Sequence, residues 1–235
     1  MDGHALVTKD EWLVARRELL QQEKEFTRRR EELSAARRAL PWEAVTEAYA
    51  FDTPHGSRTL AELFDGRSQL VVYHFMFDPA WDEGCPHCSF WADSFDGIDV
   101  HLHARDVTFV AVSRAPLAKL EAYRARMGWR FPWFSSAPSD FNRDFGVTFA
   151  PGARETATYN YGTQAAGMGE REGISVFARG GDGALFHTYS TYARGIDMVN
   201  GAYQFLDLVP KGRDEPHDGA EGPQFWVRRH DEYGT

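Results

Sequence analysis

The sequence predicts an α/β fold, a sheet sandwiched between helices in three layers, and three observations predict it. An apolar run over 70–77 has strand character and leads through a Gly84 break to Cys85, with Pro86 placed for the first turn of a helix. A second apolar run over 107–112, followed by an amphipathic stretch over 116–127, repeats the strand-then-helix order of a βαβ unit. Two further runs, over 174–178 and 185–191, are joined through Gly180-Gly-Asp-Gly183 and read as a hairpin.

The elements justify this in order. Thr8-Lys-Asp-Glu11 is a capping-box pattern at the head of a charged helix that runs to about Leu40, where Pro41 stops it. Within it Trp12, Leu19, Phe26, Leu33 and Leu40 recur every seven residues, whereas the other seam positions hold Arg16, Glu23, Arg30 and Arg37. So narrow a stripe suits docking on a domain surface or on a second copy, as the arm of a homodimer. A short strand near 49–51, a turn at Pro54-His-Gly56 and a helix near 60–64 then open the main domain. After the cysteines one helix is expected to run to about His103. A short edge strand is expected over 131–134, and a short helix over 140–147 stopped by Gly146. Residues 151–173, rich in Gly, Ala and Thr, read as a long loop over the site. The division is a helical arm over 1–41, a domain over 42–209 and a tail over 210–235 that docks back on the body or on a partner.

Composition removes several classes of function. With 235 residues, 43% of them hydrophobic, the chain can bury one full core. A net charge of −9 argues against a nucleic-acid partner, which would require a basic face for the phosphates. No run of 18 or more apolar residues is present, and Met-Asp-Gly-His lacks the charged-then-apolar pattern of a leader, so a cytoplasmic protein with no membrane partner is expected. A static disulfide is out of place in that reducing compartment. The two cysteines, Cys85 and Cys88, are therefore read as catalytic, redox-sensing or metal-binding, with inert thiols as the plain alternative.

The thiolate is the physical reason for this spacing. Unpaired backbone N–H groups at a helix start favour negative charge on Cys85 and lower its pKa from the ordinary value of about 8.5. Cys85 would then be the nucleophile and Cys88, one turn deeper, the resolving thiol. His74, on the strand before the dithiol, is a candidate to handle the proton of the second thiol, since an imidazole exchanges protons near neutrality. Its duller reading is a core histidine bonded to backbone.

The segments Gly56-Ser-Arg-Thr-Leu-Ala-Glu-Leu-Phe64, Tyr73-His-Phe-Met-Phe77, Glu83-Gly-Cys-Pro-His-Cys-Ser-Phe-Trp-Ala-Asp93, Val107-Thr-Phe-Val-Ala-Val-Ser-Arg-Ala115, Met127-Gly-Trp-Arg-Phe-Pro-Trp133 and Phe186-His-Thr-Tyr-Ser-Thr-Tyr192 carry a resemblance over nearly the whole length. The chain resembles the bacterial thioredoxin-like family known as domain of unknown function 899, whose members are labelled predicted dithiol-disulfide isomerases. The resemblance implies a thioredoxin-like fold of the peroxiredoxin type, and thiol-disulfide chemistry at Cys-Pro-His-Cys that requires no cofactor. Two departures qualify the activity. The stretch Glu172-Gly-Ile174 lacks the proline that braces the disulfide in thioredoxins. Asp78 and Asp82 stand where peroxiredoxins place a proline and a threonine ahead of the reactive cysteine, which argues against a true peroxiredoxin.

A second reading competes with the dithiol enzyme. Two thiolates plus His187, whose strand runs back toward the dithiol end of the sheet, would suit copper, or zinc with one more ligand. His87, His101 and His103 are weaker candidates. Trp81, Trp91, Trp133 and Tyr189 are expected to line a substrate pocket, and an aromatic small molecule is the substrate of a copper-dependent oxidase on this reading. On the first reading the partner is a small-molecule or thiol/disulfide substrate.

Overall fold

The structure is a computed structural model and describes residues 3–153, 156–215 and 224–234. Parts of the expected long loop (154–155) and tail (216–223) lie outside the described residues.

Helix α1 (Lys9–Arg38) begins at Thr8, whose hydroxyl accepts from the Glu11 N–H while the Glu11 carboxylate accepts from the Thr8 N–H. This is the reciprocal cap its sequence spells. Strand β1 (Glu43–Ala44), the hairpin of β2 (Ala50–Thr53) and β3 (Gly56–Thr59), and the short helix α2 (Leu60–Leu63) follow. Thr59 and Glu62 cap α2 in the same reciprocal way. Strand β4 (Gln69–His74) leads through the loop to α3 (Pro86–Ala92) and α4 (Asp99–His103). Next come β5 (Val107–Ser113), α5 (Leu117–Met127), β6 (Trp133–Ser135) and α6 (Phe141–Asp144). The small hairpin of β7 (Thr158–Tyr159) and β8 (Gln164–Ala165) precedes the main hairpin of β9 (Gly173–Arg179) and β10 (Leu185–Tyr192), and α7 (Gly201–Leu206) closes the order.

The main sheet runs β1-β10-β9-β4-β5-β6-β2-β3. At its centre β4 pairs parallel with β5 and antiparallel with β9, which turns back into β10. Two parallel strands joined across a helix, with an antiparallel hairpin added beside the first, make a thioredoxin-like α/β fold. Side chains alternate across a strand, so each face has its own core. Tyr73, Phe75 and Phe77 pack with α3 and α5 on one face. Leu70 and Val72 pack with α2 and α6 on the other.

Two expectations about elements are corrected. The helix after the cysteines is not continuous to His103: it breaks into α3 and α4, with Gly97 at φ 85° between them. Glycine takes that left-handed conformation at no steric cost. Strand β6 is no edge; it is enclosed between β5 and β2.

Candidate dithiol site

The loop from β4 to α3 is set by backbone bonds and one close approach. The Phe75 N–H extends the strand by donating to Val112, and the Cys85 N–H donates back to Met76. Gly84 is required at the crossing: a Cβ there would lie 2.8 Å from the Phe75 ring and 2.9 Å from that of Tyr123. Cys85 is the N-cap residue of α3, with Pro86 in the first turn. Its carbonyl accepts from the Ser89 N–H and hydroxyl at 3.0 and 2.9 Å.

The two thiols, both free, differ in every respect that governs reactivity. Cys85 is partly exposed, and hydrogen bonds from Cys88 and His87 hold its pKa well below the usual thiol range against the opposing effect of burial. Cys88 is 2% exposed; burial, then the neighbouring Cys85, push its pKa well up. Its Sγ accepts the Met76 N–H at 3.4 Å, and its carbonyl accepts the Tyr73 hydroxyl at 3.2 Å. The pair is thus pushed in opposite directions, Cys85 toward the thiolate and Cys88 toward the protonated thiol.

Both cysteines open on a cavity of about 230 Å³. Tyr73, Met76, Trp91 and Ile196 supply apolar wall, and His87 and Glu172 bring ionisable groups beside the sulfurs. His87 has its pKa raised by its hydrogen bond to Cys85. Glu172 has its pKa raised chiefly by burial, with the negative charge of Cys85 adding to it. Met168 and Arg171 also line the cavity, so the end of the long loop over 151–173 does reach the site. The Tyr159 hydroxyl bonds the Glu172 backbone carbonyl and fixes the chain there.

The histidines named from sequence are elsewhere. His74 and Tyr73 are neighbours on β4, so their side chains leave opposite faces; Tyr73 meets the dithiol and His74 does not. His74, fully buried, stacks on Phe141 and hydrogen-bonds Ser175 at 2.8 Å. That corrects its assignment to the proton of the second thiol. His187 lies on the same far face, pairing in register with Phe177 and packing on Phe145. Its Nε2 is 2.7 Å from Ser190 and its Nδ1 3.2 Å from Glu43. It does not join Cys85 and Cys88, and among the described residues no group of three His, Cys, Asp or Glu is placed to hold a metal ion. The donor set expected for copper or zinc therefore does not fit. His101 and His103 are exposed on α4.

Of the four aromatics expected at the pocket, only Trp91 lines it. Trp133 is 1% exposed inside the core, where its indole N–H donates to Ser113. Trp81 packs at the edge of that core, and Tyr189 lines a separate groove beneath the end of α1.

Two contributors were not named from sequence. Glu172 was singled out only as a place without proline, although a carboxylate one residue ahead of a central strand is a visible signal. Arg229 is the other. From the far end of the chain its Nη2 donates to the Gly84 carbonyl at 2.9 Å and its Nε to the Tyr123 hydroxyl at 2.8 Å, and it pairs with Glu83 at 3.0 Å. Trp226 packs edge-on against Phe90 of α3, so residues 224–234 seat on the dithiol helix. Nothing in the local pattern around Arg229 announces that contact.

A family model described as a bacterial protein of unknown function, DUF899, matches residues 1–233. No curated protein matches the chain. Among solved structures, peroxiredoxin Q of Xanthomonas campestris is 16% identical with a TM-score of 0.49, the match covering 72% of this chain and 97% of that one. Peroxidoxin BcpB of Mycobacterium tuberculosis is 15% identical with a TM-score of 0.47, over 68% of this chain and 93% of that one. The fold rests on the strand order, not on these likenesses.

Proposed function

The chain belongs to the DUF899 family of bacterial proteins, whose function is unknown, and on that premise we propose that it is an oxidoreductase working through the Cys85–Cys88 dithiol on a small oxidised substrate. One observation carries the reading: a low-pKa, partly exposed thiol and a high-pKa, buried thiol three residues apart share a cavity of about 230 Å³. A cavity of that size takes a small molecule and gives little purchase to an extended polypeptide.

For a small disulfide the steps balance as follows. The Cys85 thiolate attacks one sulfur of the substrate; the substrate S–S bond breaks, a mixed disulfide forms, and the first thiolate leaves and takes a proton from solvent. Glu172 then accepts the Cys88 proton, Cys88 attacks the Cys85 sulfur, and the second substrate thiolate leaves and takes that proton from Glu172, which returns to the carboxylate. The substrate gains two electrons and two protons, and the protein ends as the Cys85–Cys88 disulfide. An external thiol reduces it for the next turn. His87, donating to Cys85, stabilises the thiolate before attack.

The test is turnover of glutathione disulfide and of an aromatic disulfide such as dithiobis(nitrobenzoate), with insulin as a protein disulfide for comparison and a thiol as reductant. Small disulfides should be consumed far faster than insulin, and Cys88→Ser should accumulate the mixed disulfide on Cys85. Full turnover by Cys85→Ser would sink the reading.

A further inference from the structure

Helix α1 is capped and carries ion pairs along its length, yet nothing among the described residues buries a face of it. No residue of it is buried, although it is 30 residues long and so about 45 Å from end to end. Helices in water owe most of their stability to packing of an apolar face. The apolar residues are there and uncovered: Phe26 is 68% exposed, and Trp12, Leu19, Leu33 and, two residues past the helix end, Leu40 are each close to half exposed. At its C-terminal end the Arg37 guanidinium lies 5.7 Å over the Tyr189 ring, and among the described residues the stripe along the rest of the helix is open.

We propose that the stripe is covered by α1 of a second copy, in an antiparallel pair whose two-fold axis passes at Phe26. The apolar positions are symmetric about that residue, Leu19 and Leu33 being seven residues away and Trp12 and Leu40 fourteen. Antiparallel pairing about Phe26 sets Phe26 on the partner's Phe26, Leu19 on the partner's Leu33 and Trp12 on the partner's Leu40. A seven-residue repeat keeps such a seam facing its partner along the whole length.

Charge selects this orientation over the parallel one. Between the apolar positions the seam carries Arg16, Glu23, Arg30 and Arg37. In a parallel pair each would meet its own copy, three arginine pairs and one glutamate pair, all repulsive. In the antiparallel pair Glu23 falls opposite the partner's Arg29 and beside the partner's Arg30. The single copy already shows Glu23 accepting from Arg16 at 2.8 Å, so its carboxylate is turned along the seam and not away from it.

Light scattering on the full-length chain measures the mass in solution, and cysteine cross-linking in a Cys85→Ser, Cys88→Ser background measures the register. The proposal expects a dimer, a shift to monomer for Phe26→Asp, and unchanged Cys85 reactivity in that variant when the native cysteines are kept. A charge on the axis should weaken the dimer at least about tenfold. On oxidation Phe26→Cys should cross-link to itself, and Leu19→Cys only when mixed with Leu33→Cys. A monomeric native chain, a dimer untouched by Phe26→Asp, or self-cross-linking of Leu19→Cys as strong as that of Phe26→Cys would each overturn it.

Discussion

The two faces of the central sheet carry two polar clusters of opposite kind. On the α3 face Cys85, Cys88, His87 and Glu172 share one cavity, and their charges push one another's pKa values apart. On the far face a chain of hydrogen bonds runs from His74 to Ser175, Ser190 and His187 at 2.8, 2.8 and 2.7 Å, and ends at Glu43. Both imidazoles of that chain sit against phenylalanines, His74 on Phe141 and His187 on Phe177, and the two serines between them are buried. The first cluster is exposed enough to meet a substrate. The second is closed to solvent from His74 to Ser190 and ties β4, β9 and β10 together, with His74 Nδ1 left without a hydrogen-bond partner among the described residues. Ionisable side chains on adjacent residues of one strand therefore serve unrelated ends, and strand parity decides which.

The difference is broken most directly at the cysteines. Cys85→Ser should lower small-disulfide reduction by about three orders of magnitude or more, since it removes the bond-forming atom. His187→Ala and His74→Gln should leave the Cys85 thiol pKa, read from the pH dependence of iodoacetamide alkylation, where it was. A displaced thiol pKa in either histidine variant would join the two faces again. Glu172→Gln comes next. With no carboxylate to take the Cys88 proton, resolution of the mixed disulfide should slow about tenfold to a hundredfold, while the first attack by Cys85 changes much less. Stopped-flow release of the two substrate thiols separates the steps, and equal slowing of both would remove Glu172 from the proton transfer.

How far the sequence reached follows the same line. Local signals were legible because they are local: the Thr8 and Glu11 cap, the break at Gly84, Pro86 opening a helix, and the glycine turn of the last hairpin all appear where their chemistry requires. The fold was legible through their order. His74 and His187 were placed beside the dithiol on proximity along the chain and on strand direction, yet the register puts both on the other face. Parity alone could have warned of this for His74, because Tyr73 and Phe75 belong to the apolar set of one face and Val72 to that of the other. Arg229 was beyond reach. It lies 145 residues from its Gly84 partner, and nothing in Phe225-Trp-Val-Arg-Arg-His230 says which of the two arginines finds a buried acceptor.

Acid should separate the two faces by stability. Burial pushes the His74 pKa down to about 3, whereas in the unfolded chain it returns to the ordinary 6.5. Between those values the unfolded state binds a proton that the native state does not. The stability associated with neutral His74 is therefore full above pH 6.5 and is lost as pH falls from there toward 3, with a limiting slope of about 1.4 kcal/mol per pH unit. Urea unfolding of the native chain and of His74→Gln between pH 7 and pH 5 should give a flatter slope for the variant. Parallel slopes would show that the native imidazole takes up a proton as readily as the unfolded one.

The smallest effect expected is at the C-terminal clasp, and it tests whether the α3 face is organised by its own elements or from outside. Arg229 bonds the Gly84 carbonyl and the Tyr123 hydroxyl; that hydroxyl is 2.8 Å from the Ser89 hydroxyl, which in turn donates to the Cys85 backbone carbonyl. The route from the tail to the backbone of the nucleophile is thus three hydrogen bonds long. Arg229→Ala should cost about 1–2 kcal/mol, the value of charge-assisted bonds discounted because Glu83 is half in water. Amide exchange over 84–89 should quicken and alkylation of Cys85 should rise about twofold to fivefold, with the far-face slope in acid unchanged. If amide exchange over 84–89 is the same in both chains, then Gly84, Pro86 and the Phe75 ring hold the loop unaided, and the tail is ballast on the back of α3.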